Sequence, residues 1–241
     1  MQLVNSKLSE QQLTALCAKR PVRVVEGGAV MTGPVRLSFP SLAQKAKPVP
    51  GMAGAPKYQA ALLFPHNNIK PMIDVLRAKI KEYYSTVTDP DVMLDKYNKA
   101  GPVRDQALKV SMADGGRDAT RATTTGYTAG LPFVNPKSGN AVPCYHVVRG
   151  VWVPALPEEI ERIFYAGCWV DAKLVIIKSS TAASPGVSFG LQGVWKLADD
   201  NGFGGSGAAA TEGGSAEDAF AAEDPNTIMQ PNDVPASDGW D

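Results

Sequence analysis

Cysteine is scarce in this chain. The 241 residues include three cysteines, Cys17, Cys144 and Cys168, and no Cys-x-x-Cys pair. So few thiols at such scattered positions exclude a disulfide framework and a cysteine-based zinc site. The sequence therefore predicts a protein of a reducing compartment, the cytoplasm.

Long apolar runs are missing as well. The longest of them, such as residues 174–177, are far shorter than the roughly 20 residues that a membrane-spanning helix needs. The N-terminus does not show the charged-then-apolar pattern of a signal peptide. We expect a soluble protein that makes no contact with a membrane.

Residues with catalytic or metal-binding chemistry are sparse. There are two histidines, His66 and His146, and the Cys144-x-His146 pair lacks further ligands nearby in the sequence. The acidic segment that begins at Asp89 lacks the glycine and the final glutamate of a calcium loop, and helix capping by Asp89 explains it better. We expect no catalysis, no metal and no cofactor.

Net charge is zero, but the charges are unevenly distributed. Residues 205–241 contain eight acidic residues and no lysine or arginine, so residues 1–204 carry a net charge of +8. The C-terminal segment is also rich in Gly, Ala, Ser and Pro and poor in large apolar residues, a composition that cannot offset the entropy of ordering the chain. It predicts a basic folded body followed by a disordered acidic tail.

Alternating apolar residues mark strands along the body. Strand-like runs occur at residues 35–40, 57–65, near 127–135, and at 168–177 and 187–195, the last two joined as a hairpin. Between the first two lies a Pro-, Gly- and Lys-rich loop. At least five strands without a βαβ rhythm favour a mostly antiparallel barrel over an α/β sheet.

Helical spacing is clearest in residues 69–83, where apolar residues recur every three to four positions after Asn67 or Asn68 as a cap. The cations on the opposite face of this helix are best explained as a solvated surface. A shorter helix is expected near residues 92–97, and residues 1–30 are interpreted as a peripheral arm with one or two turns of helix.

Basic and aromatic residues are interleaved near the predicted strands. A single nucleic-acid strand is held without sequence preference by cations that follow its phosphates and by aromatic faces that stack on its bases. The DNA-binding candidates are Lys57, Tyr58, Arg117, Arg121, Tyr127, Lys137, Trp169 and Lys173.

Trp169 is the candidate with the clearest expectation of exposure. The alternation of its strand places it on the same face as Asp171 and Lys173, opposite the small and apolar residues 168, 170, 172 and 174. About half of the remaining aromatic residues are expected to build the core.

The acidic tail suggests regulation. A flexible anionic segment tethered to a cationic groove reaches a high effective concentration there and mimics a polyphosphate. Its end carries Asp233, Asp238, Trp240 and Asp241, which we interpret as an autoinhibitory and partner-binding element. A solubilising appendage is the alternative interpretation.

Several segments together resemble a known group. The order RLSFPSL, KYQAALLFP, a helix, YAGCWVDAKLVIIK, and GVSFGLQGVWKLADDNGFGG running into GGSAEDAF is similar to that of the phage-encoded single-stranded-DNA-binding proteins with an OB-fold and an acidic tail. The resemblance covers most of residues 35–205. It implies a protein that coats and protects single strands in phage replication, recombination and repair in the host cytoplasm, and whose tail contacts polymerase or helicase.

The sequence and the resemblance together give one expectation. The fold is all-β, with one or two helices: an OB-fold-like five-stranded antiparallel barrel with helical and loop insertions over residues 1–204, followed by the disordered tail 205–241. The alternatives are a metal-dependent nuclease whose carboxylates, among them Asp114, Asp118, Glu158 and Asp171, meet in space, and a phage structural or scaffold protein.

Overall fold

Strands dominate the computed structural model, which describes residues 6–47, 54–95, 101–106, 126–178 and 186–203. The α-helices of this part are α1 (Glu10–Lys19), α2 (Lys70–Tyr83) and the single turn α3 (Ile160–Ile163). The strands are β1 (Arg23–Val24), β2 (Val30–Met31), β3 (Val35–Ala46), β4 (Lys57–Leu63), β5 (Val103–Asp105), β6 (Pro132–Val134), β7 (Lys137–Ser138), β8 (Cys144–Val148), β9 (Val151–Pro154), β10 (Trp169–Lys178) and β11 (Val187–Ala198). The predicted β-rich class is confirmed, with a third, very short helix.

Five of these strands form a closed ring. Strand β3 pairs with β4, β4 with β7, β7 with β11, β11 with β10, and β10 again with β3. All of these contacts are antiparallel except β7–β11, which is parallel. This ring has the strand order of the predicted OB-fold-like five-stranded barrel, but it is not wholly antiparallel, because its third and fifth strands along the chain pair in parallel.

The remaining strands extend the ring at three places. Strands β2 and β1 continue from β10, strands β8 and β9 continue from β11, and β6 with β5 adds to the far end of β4. The 10-residue β10 and 12-residue β11 form the longest hairpin, as the sequence predicted. The barrel interior holds fully buried aliphatic side chains from all the long strands, including Val35, Leu37, Leu62, Val170, Leu174 and Val194.

Helix α2 occupies the predicted position, but its predicted cap is wrong. The N-cap residue is Ile69, which makes no side-chain capping bond, and Pro71 stands in the first turn. Packing of Met72, Leu76 and Ile80 into the barrel core stabilises the helix instead. The predicted capping by Asp89 is confirmed, since its carboxylate accepts from the backbone N–H of Asp91 at the start of a 3-10 turn, Pro90–Leu94.

The segment expected as a peripheral arm packs against the barrel over its described part. A capping box between Ser9 and Gln12 starts α1. Leu16 of this helix is buried against Trp169 and Leu197, in a small second core on the outside of the barrel. The helix therefore covers a barrel face that would otherwise meet water. Among the described helices, none is long and apolar enough to cross a membrane.

The second core corrects the expectation for Trp169. Its side chain is 0% exposed, and Asp171 on the same face is equally buried, beside Arg23 at 3.6 Å. The two-residue period of a strand assigns side chains to two faces, but it does not say what covers each face. Here α1 covers Trp169, and Arg23 and Thr32 contact Asp171, on the face that the pattern assigned to solvent.

A bulge interrupts β3 at Phe39. The register passes from Ser38 opposite Ala61 to Ser41 opposite Gln59, which leaves one extra residue on β3. Phe39 has φ 45°, in the left-handed region that costs a non-glycine residue about 1–2 kcal/mol. The bulge therefore stores strain in the first strand of the barrel.

Candidate nucleic-acid interface

Strand pairing brings three of the predicted DNA-binding residues together. Lys57 and Tyr58 lie at the start of β4, and Lys137 lies on β7. Tyr58 stands opposite Ser138, and Gln59 stands opposite Lys137. Residues that are 80 positions apart in the sequence thus occupy adjacent strands, and both lysines are exposed.

Strand β3 adds a cation that the sequence analysis missed. Lys45 lies on β3, where the neighbouring Ala46 stands opposite Lys57, and its ammonium is 5.7 Å from the centroid of the Tyr58 ring. This is cation–π geometry on a half-exposed tyrosine. The sequence predicts that the strand ends at residue 40 and places Lys45 in the basic loop. In the structure β3 continues past Pro40 to Ala46, so Lys45 lies on the strand. We call the set Lys45, Lys57, Tyr58 and Lys137 the β3–β4–β7 surface.

The ion pairing of the cations distinguishes this surface from helix α2. On α2, Lys70 pairs with Asp74, Arg77 binds Asp91 through two hydrogen bonds, and Lys79 contacts Glu82 at 2.7 Å. The interpretation of these cations as an ordinary helix surface is supported by this neutralisation. Within the described residues, by contrast, the lysines of the β3–β4–β7 surface form no ion pair with a carboxylate, so their charge is available to an anion.

Two connections between barrel strands carry further exposed lysines. In OB folds, the face of strands 2–3 and the loops between strands 1–2 and 4–5 contact oligonucleotides. The equivalent parts here are β4 and β7, the β3–β4 connection and the β10–β11 connection. The described ends of these connections carry Lys47 and Lys178, and Lys178 lies 5.1 Å from the centroid of the Tyr84 ring.

Tyr127 is a buried residue in the structure, against its prediction as a DNA contact. Its ring packs edge-on against Phe133 at 5.9 Å, and its hydroxyl lies 3.3 Å from Ser38 Oγ. Burial raises the pKa of its phenol, and the bond with Ser38 opposes that rise. A base does not reach this ring in the described conformation, because the ring faces Leu63 and Phe133.

Trp169 is likewise unsuited to stacking on a base. Its indole N–H donates to Asp200 Oδ2 at 2.6 Å, and its ring lies 5.7 Å from the guanidinium of Arg36. Asp200 also accepts from the hydroxyl of Ser6 and the backbone N–H of Lys7. This cluster ties the N-terminal segment to the end of β11, and its role is structural.

The other predicted site residues are placed elsewhere or lie outside the description. Lys173 is half-buried on β10, opposite Met31 of β2 and Gly193 of β11, and the ring order separates it from β4. Arg117 and Arg121 lie outside the described residues, as do the tail residues Asp233, Asp238, Trp240 and Asp241.

The alternative of a metal-dependent nuclease requires clustered carboxylates. No group of three or more His, Cys, Asp or Glu side chains in this part of the chain is placed to hold a metal ion. Of the carboxylates considered for a nuclease, Asp171 is buried beside Arg23, Glu158 is exposed, and Asp114 and Asp118 lie outside the described residues.

The closed ring with a lysine-bearing face on its first three strands defines an OB-fold protein with a cationic sheet surface. The chain belongs to the family described as Enterobacter phage Enc34, ssDNA-binding protein, whose model matches residues 28–225. Among the curated proteins, none matches this sequence.

Solved structures show the same fold. The structure of the single-stranded DNA-binding protein from bacteriophage Enc34 in complex with ssDNA is 21% identical, with a TM-score of 0.57 over 84% of this chain and 99% of that chain. A second structure of the single-stranded DNA-binding protein from bacteriophage Enc34 is 19% identical, with a TM-score of 0.55 over 86% of this chain and 95% of that chain. At such low identity, the likeness establishes the barrel architecture.

Proposed function

We propose that this protein binds single-stranded DNA without sequence preference through the β3–β4–β7 surface. The observation that carries the proposal is the set of exposed lysines Lys45, Lys57 and Lys137 on three neighbouring strands, which have no carboxylate partner among the described residues. A backbone of phosphates releases counterions when it meets such a surface, and this release drives binding of any sequence. Membership of a phage ssDNA-binding family supports the same function.

The biological role follows from binding without catalysis. A phage-encoded protein of this kind coats and protects transient single strands during replication, recombination and repair in the host cytoplasm. It acts as a non-enzymatic binder, and neither a metal nor a cofactor takes part. Arg117 and Arg121 extend the cationic path in this proposal, because they stand in a basic segment that precedes β6, the strand that pairs with β4.

The acidic tail regulates the surface in this proposal. Eight acidic residues in 205–241 oppose a body of net charge +8, so the tail competes with DNA for the same lysines. DNA binding then releases Asp233, Asp238, Trp240 and Asp241 to recruit replication proteins such as a polymerase or helicase.

Fluorescence anisotropy of a labelled oligothymidylate tests the binding. We expect saturable binding of the single strand, much weaker binding of a duplex of equal length, and a log–log salt plot with a negative slope. Anisotropy is preferable to intrinsic fluorescence because Trp169 and Trp195 are buried. Absence of binding, or binding that salt does not weaken, would remove the proposal.

A full-length variant with the eight tail acids replaced by Asn or Gln tests the regulation. Neutralisation keeps the length of the tail and removes its charge, so tighter DNA binding than that of the unmodified chain is expected. A second variant with eight serine or alanine substitutions elsewhere in the tail serves as the control. Equal affinity of the neutralised and unmodified chains would show that the tail does not compete.

A further inference from the structure

Phe39 is the one aromatic side chain among the large hydrophobic residues that are exposed in the described part of the chain. It is 61% exposed, whereas the other exposed hydrophobics are valine, leucine or isoleucine. Aromatic rings bury large apolar area in a core or an interface, so a ring left in water in the middle of a strand needs an explanation.

The β-bulge is what turns Phe39 outward. Val35 and Leu37 point into the core, and a regular strand would place residue 39 on the same inner face. The extra residue between Ser38 and Ser41 shifts the alternation, so that Leu42 is the next residue of β3 in the core. The bulge therefore re-aims one aromatic ring from the interior to the surface.

The backbone at this position is unfavourable for phenylalanine. Its φ of 45° lies in the left-handed region, which glycine adopts without steric cost. A strained backbone that presents a hydrophobic ring to water opposes stability twice, and such outliers concentrate at ligand-binding positions. Folding alone gives no reason for this residue.

The location of Phe39 places the ring beside the lysines. Phe39 and Pro40 face Ala60 of β4, and the next residue, Gln59, stands between Ser41 and Lys137. At about 4.8 Å per strand, the backbone of Phe39 is roughly 10 Å from β7 across the sheet. The exposed ring and the exposed cations therefore belong to one continuous outer surface.

We infer that Phe39 is a base-stacking platform of the DNA-binding surface, held outward by the β3 bulge while the lysines of β4 and β7 bind the flanking phosphates. This inference rests on the proposed function and adds an apolar contact to it. Base–aromatic stacking tolerates any sequence, because every base has a π-face.

Phe39→Gly tests the inference, because it should weaken DNA binding without lowering the stability of the fold. Glycine relieves the left-handed strain, so the variant should melt at the same temperature as the unmodified chain or higher. Loss of stacking should raise the Kd for oligothymidylate roughly 5- to 100-fold. The salt slope should not change, because no charge is removed.

Two companion variants sharpen the result. Phe39→Leu keeps an apolar side chain without a π-face and should weaken binding as Phe39→Gly does. Val151→Gly removes an exposed hydrophobic from the edge strand β9 and should leave the Kd unchanged. Phe39→Trp should retain affinity and give a fluorescence signal that single strands quench.

The outcomes separate this inference from the proposed function. If the unmodified chain binds single strands but Phe39→Gly and Phe39→Leu bind equally well, Phe39 does not stack on a base, and a contact with a protein partner becomes the explanation for the ring. If the unmodified chain does not bind single strands at all, the proposed function itself is wrong.

Discussion

At the scale of single residues, Asp200 connects several distant parts of the fold. Its carboxylate is buried and accepts hydrogen bonds from Ser6, Lys7 and Trp169, and it lies 3.7 Å from the Arg36 guanidinium. Burial lowers the pKa of Arg36, while the charge of Asp200 opposes that shift. One side chain thus joins the N-terminal segment, the barrel wall and the end of β11.

Replacement of Asp200 should therefore destabilise the fold. Asp200→Ala removes the acceptor of the Trp169 indole N–H and the carboxylate that lies 3.7 Å from the Arg36 guanidinium, and breaking a buried pair in this way costs about 3–5 kcal/mol. Urea denaturation followed by circular dichroism measures the loss. Asp74→Ala is the matched control, because its pair with Lys70 on α2 is exposed and screened by water, so its loss should change the urea midpoint little. Similar midpoints for the two variants would contradict the structural role of Asp200.

The residue scale also shows why Trp169 was misassigned. The sequence shows an aromatic residue in register with a lysine and an aspartate, which is typical of an outer face. Burial of Asp171 beside Arg23 and of Trp169 beside Asp200 depends on partners more than 30 residues away. Local alternation contains no information about such partners.

At the scale of elements, the pairing of β4 with β7 produces the cationic surface. Each lysine alone resembles any surface lysine. The register of β4 and β7 places Lys137 opposite Gln59, two residues along β4 from Lys57, so the two lysines are diagonal neighbours. Each phosphate that a lysine neutralises releases counterions from the DNA, so the salt dependence of the two contacts adds.

The double variant Lys57→Ala/Lys137→Ala should weaken binding of single strands regardless of sequence. Each lost phosphate contact should reduce the magnitude of the salt slope by about 1, so a reduction of about 2 is expected in anisotropy titrations between 50 and 300 mM salt, concentrations chosen to span the steep part of such curves. Lys79→Ala on α2 removes a cation that Glu82 already neutralises and should leave the slope unchanged. An equal change in both proteins would mean that net charge, and not this surface, sets the affinity.

Element boundaries were predicted well where the chain shows a strong periodic pattern. Helix α2 and the β10–β11 hairpin lie where their apolar spacing indicates, because these elements bury one regular face. The bulge in β3, by contrast, could not be predicted from apolar spacing. The sequence VRLSFPSL alternates as though Phe39 faced inward, and the shift arises from pairing with β4.

At the scale of the whole molecule, buried protonated groups set the response to high pH. Burial raises the pKa of the thiols of Cys144 and Cys168 from 9.0 to about 12. The phenol of Tyr127 is shifted in the same direction. The folded state therefore keeps protons that the unfolded chain loses, and the associated stability is complete below about pH 9.

Stability should decline as the pH rises from about 9 towards 12. Each thiol should lower the free energy of unfolding by about 1.4 kcal/mol per pH unit in this window. Urea midpoints measured at several values from pH 7 to pH 11 test this expectation. Cys144→Ala should reduce the steepness by the share of one thiol, whereas a flat profile for the unmodified chain would show that the thiols titrate equally in both states.

The amino-acid sequence by itself determined the β-rich class, the positions of the long strands and α2, the separation of charge between body and tail, and a resemblance that the family match confirms. These properties depend on local spacing and composition, which a single sequence displays. The tertiary structure alone decided that α1 buries Trp169, that Lys45 joins Lys57, Tyr58 and Lys137, and that Phe39 faces water. Each of these outcomes depends on strand register and on which element covers which face, and those contacts link residues that are distant in the chain.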